Sequence, residues 1–163
     1  MNELCVVATV RREDPRTPDA TVLLEELGAM IALYRADDRK ARFAVEDLCT
    51  VRSAFVVART IDGRAIGCGA LRRYSFEAAE FVLIYRRPEW HGTGSVVLRF
   101  LEDLAATMDY RKALVQVHEA NRRAIALCLR HGYEPSSTVG ECVGLGDILC
   151  FAKALPVAAN RAH

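Results

Sequence analysis

From Ala54 onward the hydrophobic pattern alternates between short apolar, β-branched runs and longer runs with helical spacing. Ala54–Arg59 is a strand candidate, Asp62-Gly63 is a hairpin signal, and a return strand follows over Ala65–Tyr74. Gly67 and Gly69 within it point to a bulge or to a close backbone approach. Ser75–Ala78 makes a second turn, and Ala79–Tyr85 reads as the third strand of an antiparallel set. After Pro88 come two glycines one residue apart, then an amphipathic helix over Ser95–Met108 whose apolar face is Val97, Leu98, Leu101, Leu104, Ala105 and Met108. Leu114–His118 alternates as a strand. Asn121 opens a helix through Ala124, Ile125, Leu127, Cys128 and Leu129 that stops at Gly132, and Ile148–Leu155 reads as a last strand.

The first third of the chain is less regular. Leu4–Val10 is a β-type run, closed by the cluster Glu13-Asp14-Pro15-Arg16-Thr17-Pro18. Asp19 is placed to cap a helix bearing Val22, Leu23, Leu27, Met30, Ile31 and Tyr34. Ala36–Arg42 is dense in charge of both signs, as in a solvated loop or helix end, and Val45–Leu48 suits a short helix or turn.

One connection stands apart from the hairpins. The strand ending near Tyr85, the helix after the glycines and the strand Leu114–His118 form a β-α-β unit, so those two strands run parallel. The expectation is therefore a single α+β domain over residues 1–155. Its mixed, mostly antiparallel central sheet has one parallel crossover and flanking helices, and a loose tail follows over 156–163. In such a unit a ligand sits at the carboxyl end of the strands, where the helix N-terminus points.

Composition narrows the partners. The 163 residues carry 52% hydrophobic and 26% charged residues and a net charge of +1, the profile of an ordinary globular domain. Nothing in that balance marks a nucleic-acid or membrane partner, and no apolar run is long enough to span a bilayer. Six widely spaced cysteines without a Cys-x-x-Cys pair, and four histidines without paired spacing, argue against a metal site. Cysteines in apolar runs behave as small hydrophobes, and a reducing cytoplasm is the expected setting.

The chemistry concentrates in Tyr85–Val97. A strand, a glycine turn and a helix in succession aim backbone N–H groups and the positive end of the helix dipole at one point, a seat for a phosphate or pyrophosphate. Gly92 and Gly94 would equally serve a plain strand-to-helix turn.

Two stretches together resemble the GNAT superfamily of acyl-CoA-dependent N-acyltransferases, over roughly Ala54–Leu155. Arg87-Pro88-Glu89-Trp90-His91-Gly92-Thr93-Gly94-Ser95-Val96 is similar to the family's pyrophosphate loop, Gln/Arg-x-x-Gly-x-Gly/Ala. Asn121-Arg122-Arg123-Ala124-Ile125-Ala126-Leu127-Cys128-Leu129-Arg130-His131-Gly132-Tyr133 is similar to its later signature, Asn-x-x-Ala-…-Tyr-x-x-x-Gly-Phe/Tyr. There are three departures. His91 stands for the usual Arg or Gln, Val96 for a Gly or Ala, and Cys128 for the Tyr that often acts as general acid.

The resemblance implies transfer of an acetyl group from acetyl-CoA to a primary amine of a small molecule or protein, directly within a ternary complex. It implies that Ile84, Tyr85 and Arg86 offer backbone groups to the pantetheine arm. His91, Gly92, Thr93, Gly94 and Ser95 would hold the pyrophosphate, with Asn121 beside the pantetheine as well as capping its helix. Glu80 becomes the general-base candidate, although strand alternation alone would also leave a polar residue there. Cys128 becomes an acid candidate, although a buried thiol serves equally as core filler. Two other readings compete: an acyl-CoA-binding sensor with little transferase activity, and an unrelated nucleotide binder that uses the glycine turn. The acceptor cannot be read from the sequence, and a homodimer is compatible with the family.

Overall fold

The structure, a computed structural model, describes residues 8–33, 45–136 and 147–157. The charged stretch 36–42, the first residues of the chain, Tyr34 and most of the tail lie outside the described residues.

A seven-stranded sheet runs β1-β2-β3-β4-β5-β7-β6. Its strands are β1 (Thr9–Arg12), β2 (Ala54–Arg59), β3 (Ala65–Arg73), β4 (Ala78–Arg86), β5 (Lys112–His118), β6 (Glu134–Pro135) and β7 (Ile148–Ala154). The helices are α1 (Pro18–Ala32), α2 (Thr93–Thr107) and α3 (Arg122–Arg130), with a short 3-10 helix at Val45–Leu48. All pairings are antiparallel except β4 with β5. That is the expected α+β sheet with its one parallel crossover. The two-residue β6 is too short to leave a periodic signal.

The α1 helix starts two residues earlier than expected. Thr17, not Asp19, is the N-cap: its hydroxyl accepts the Ala20 N–H at 3.3 Å, with Pro18 in the first turn. Asp19 is drawn instead to Arg59, whose Nη1 lies 2.9 Å from Oδ2 while Nη2 reaches Glu13 at 2.7 Å. A proline at the first helical position has no N–H to satisfy, so the threonine before it is the better cap.

Two cores flank the sheet. On one face Leu23 and Leu27 of α1 pack on Phe55, Val57, Cys68, Ala70, Val82 and Tyr85. On the other, Val97, Leu98 and Leu101 of α2 and Cys128 of α3 pack on Val56, Ile66, Phe81, Val115 and Phe151. The glycines of β3 act by close approach. A Cβ on Gly69 would lie 2.7 Å from Val97 Cγ1, and one on Gly67 would lie 2.7 Å from Thr93 Cγ2 and 2.8 Å from the Tyr85 carbonyl. Side chains at either position would push α2 off the sheet. Among the described residues no helix is long and apolar enough to cross a membrane.

Candidate functional site

The site begins where β4 and β5 part. They pair only over Ala78–Phe81 with Lys112–Val115, yet both continue, to Arg86 and to His118. The cause lies on the opposite edge of β4. Between Cys68↔Tyr85 and Ala70↔Val82, one residue of β3 faces two of β4. The extra residue is Leu83, which adopts φ 58°, a left-handed conformation that costs a branched residue about 1–2 kcal/mol. The Cys68 thiol donates to the Leu83 carbonyl at 3.4 Å and steadies the bulge. Burial and the nearby Glu26 push that thiol up to about 12, so it remains a donor. The bulge bends β4 away from β5 and leaves backbone edges open between the strands.

The end of β4 is anchored to α1. Tyr85 is buried, and its hydroxyl donates to Glu26 at 3.0 Å. Burial, then Glu26, raises the phenol to about 12. Arg87 clasps both oxygens of Glu26 at 3.1 and 3.0 Å and also reaches the Ala65 carbonyl. Arg87 therefore belongs to this brace, while Arg86 donates to the Pro88 carbonyl at 2.8 Å on the loop that follows.

That loop delivers α2. Gly92 is the N-cap at φ 88°, a region that favours glycine, and it caps with no side chain. Thr93 is fully buried, its hydroxyl donating to the Trp90 carbonyl at 2.8 Å, so it packs inward. The N–H groups of Gly94 and Ser95 have no acceptor among the described residues, as the first turn of a helix requires. His91 is exposed beside them, and Val96 packs against the α2-face core. Gly94 faces Leu127 of α3, where a Cβ would meet the leucine in ordinary contact at 3.5 Å.

α3 completes the mouth. Asn121 caps it, Oδ1 accepting the Ala124 N–H at 3.2 Å. Arg123 in its first turn approaches Arg86: burial first, and then this like charge, lowers the Arg86 guanidinium below its ordinary value. A second cation in the field of Arg86 suits an anionic ligand. Cys128 is 2% exposed in the core and burial pushes its thiol up to about 11, so at neutral pH it is protonated. Nearby, His131 Nε2 lies 2.9 Å from the Ser95 hydroxyl, and burial lowers its imidazole below the usual value.

Glu80 is on the α1 face just before the strands part. It is 4% exposed, and Arg72 Nη2 and Nε reach its Oε1 at 2.9 and 3.1 Å. Thus Glu80 lies on the paired half of β4 and Ile84–Arg86 on its open end, the Gly92–Ser95 turn follows, and Asn121 caps α3. Cys128 is buried in the core. Sequence reasoning did not reach Leu83, Arg72, Arg123 or the Ser95–His131 contact, because each depends on cross-strand register or helix packing. Among the described residues no cluster of His, Cys, Asp and Glu suits a metal ion.

Comparison with known proteins agrees with this fold. A family model described as Acetyltransferase (GNAT) family matches residues 22–133. A Klebsiella pneumoniae protein assigned as an acyl-CoA N-acyltransferase superposes with a TM-score of 0.77 at 20% identity, covering 93% of this chain and 99% of its own. A GNAT family acetyltransferase from Elizabethkingia anophelis, solved with acetyl-CoA bound, gives 0.66 at 16% identity over 91% and 98% of the two chains. Spermidine N-acetyltransferase from Vibrio cholerae, solved with CoA and spermine, gives 0.64 at 16% over 91% and 95%. No match was found among curated protein sequences. The chain belongs to the GNAT acetyltransferase family and is an acyltransferase.

Proposed function

We propose that this GNAT enzyme transfers the acetyl group of acetyl-CoA to a primary amine of a small molecule or protein, directly and without a covalent intermediate. The observation that carries the reading is the parting of β4 from β5 at the Leu83 bulge, directly ahead of the uncapped first turn of α2. The open edge Ile84–Arg86 receives the amides of the pantetheine arm. The N–H groups of Gly94 and Ser95, with the turn at Gly92 and Thr93, receive the pyrophosphate, and Arg86, Arg123 and exposed His91 add positive charge. Asn121 borders the arm from the cap of α3.

Glu80 takes the proton from the acceptor ammonium, directly or through water. The free amine attacks the thioester carbonyl to give a tetrahedral intermediate with a protonated nitrogen and an oxyanion. The nitrogen loses its extra proton to water, from which Cys128 is later reprotonated, and the C–S bond breaks to release CoA thiolate. Cys128 holds a proton at neutral pH and occupies the acid's position in the α3 signature, so it is the protein's candidate donor to that thiolate.

The test pairs titration calorimetry of acetyl-CoA with thiol release over a panel of amines, amino acids, polyamines and peptides. Saturable binding with amine-dependent thiol release is expected. Binding without release from any amine would favour the sensor reading, which the buried Cys128 and the Val96 and His91 departures keep in view.

A further inference from the structure

We propose that Arg72 is a positioning residue for acetyl transfer: it holds the Glu80 carboxylate, as an anion, on the α1 face beside the gap through which the acceptor amine reaches the thioester. This rests on the reading of Glu80 as the base.

The register makes a ladder across four strands, with Arg72 opposite Glu80, Glu80 opposite Leu114 and Leu114 opposite Ala152. Ala78, Leu114, Cys150, Tyr74 and Ala152 form an apolar cluster on the same face. A carboxylate at 5% side-chain exposure in such surroundings is expensive to ionise, and burial alone would drive it toward the neutral acid, which cannot accept a proton. The guanidinium opposes that. Its side chain is 29% exposed, so the cation keeps part of its hydration while Glu80 does not.

The grip is also directional. Nε and Nη2 both donate to Oε1, at 3.1 and 2.9 Å, rather than one to each oxygen as in a fork-to-fork pair. Arg72 therefore fixes the position of one carboxylate oxygen. A lysine could supply charge but not two converging donors.

Among the described residues, the packed elements carry these other ionisable groups. Glu26 of α1 is committed to Arg87 and Tyr85. On β5, Lys112 lies at the start of the strand, opposite Ala78, and His118 pairs with Asp147 at 3.2 Å. Tyr74 follows β3, Cys150 of β7 is disulfide-bonded and does not titrate, and Cys68 serves the Leu83 bulge.

The experiment uses the full chain with the amine that gives thiol release, and compares Arg72→Gln, Arg72→Lys, Glu80→Gln and the double variant, with Arg73→Gln on the exposed neighbour as control. Arg72→Gln is expected to lower kcat about 10- to 100-fold and leave the acetyl-CoA Kd within about twofold. It should also move the acidic limb of the amine kcat/KM profile to higher pH by about one unit. Arg72→Lys should restore the limb more than the rate, and adding Arg72→Gln to Glu80→Gln should cost little more. An unchanged profile and kcat in Arg72→Gln would overturn the proposal. So would a loss that is additive to Glu80→Gln and tracks thermal stability, which would make Arg72 a structural brace. An inactive wild type that still binds acetyl-CoA would instead remove the transferase reading itself, and this one with it.

Discussion

The two halves of β4 do different jobs by different means. Ala78–Phe81 is paired on both sides, and what it offers is a side chain, Glu80, locked by its neighbours. In Leu83–Arg86 only Tyr85 and Arg86 pair, and with β3 alone, and what this half offers is backbone. A bulge of one residue divides them. On the proposed reading, the difference teaches that proton transfer, which needs a group held to a fraction of an ångström, is built into rigid sheet. Cofactor binding, which needs only N–H and C=O groups in order, is on that reading built where the sheet opens, and there the side chains are free to vary.

The comparison breaks most sharply at Glu80. Glu80→Gln should lower kcat by at least about 100-fold while acetyl-CoA binding by calorimetry stays near wild type, since general-base removal costs about 10²–10⁴. Unchanged turnover and pH–rate profile would take Glu80 out of the mechanism.

The backbone half is tested at the turn it feeds. Gly92→Val forces a β-branched residue into φ 88°, at about 1–2 kcal/mol or more. It should weaken acetyl-CoA binding about tenfold and leave kcat at saturation within about threefold, the reverse of the Glu80 result. Equal affinity would mean that the turn does not hold the cofactor.

Cys128 distinguishes donor from filler. Cys128→Ala should lower turnover about tenfold with little change in cofactor affinity if its thiol feeds the leaving thiolate, and Cys128→Tyr should preserve activity. If both variants turn over like wild type, Cys128 is core packing alone.

The smallest effect is a stability slope. His131 has its folded pKa depressed by burial, so its contribution is present above the unfolded value of about 6.5 and is lost as pH falls through the lower folded value. The wild-type Tm should therefore fall more steeply than that of His131→Gln between about pH 7 and pH 5. Parallel slopes would show that protonating His131 does not strain the Ser95 contact.

Much of this was legible in the sequence because it is local. The hairpin at Gly63, the α2 and α3 apolar faces, the Asn121 cap and the glycine turn each arise from residues within a few positions of one another. Periodicity and turn chemistry report such features directly. The β-α-β crossover followed from element order, because a parallel pair requires it. The α1 cap was misplaced by two residues, since Asp19 and Thr17 are both good caps and the choice fell to Arg59, forty positions away from Asp19.

The tertiary structure decided the rest. A leucine gives no warning of positive φ; Leu83 adopts it because the β3 register leaves one residue surplus and Cys68 holds the result. Glu80 reads as a polar strand residue in sequence, and only cross-strand pairing sets it opposite Arg72 and Leu114. The chain by itself therefore determined the elements, their order and the glycine turn that opens α2. Packing decided where the sheet opens and which charge faces the opening, because both depend on contacts between residues distant in sequence.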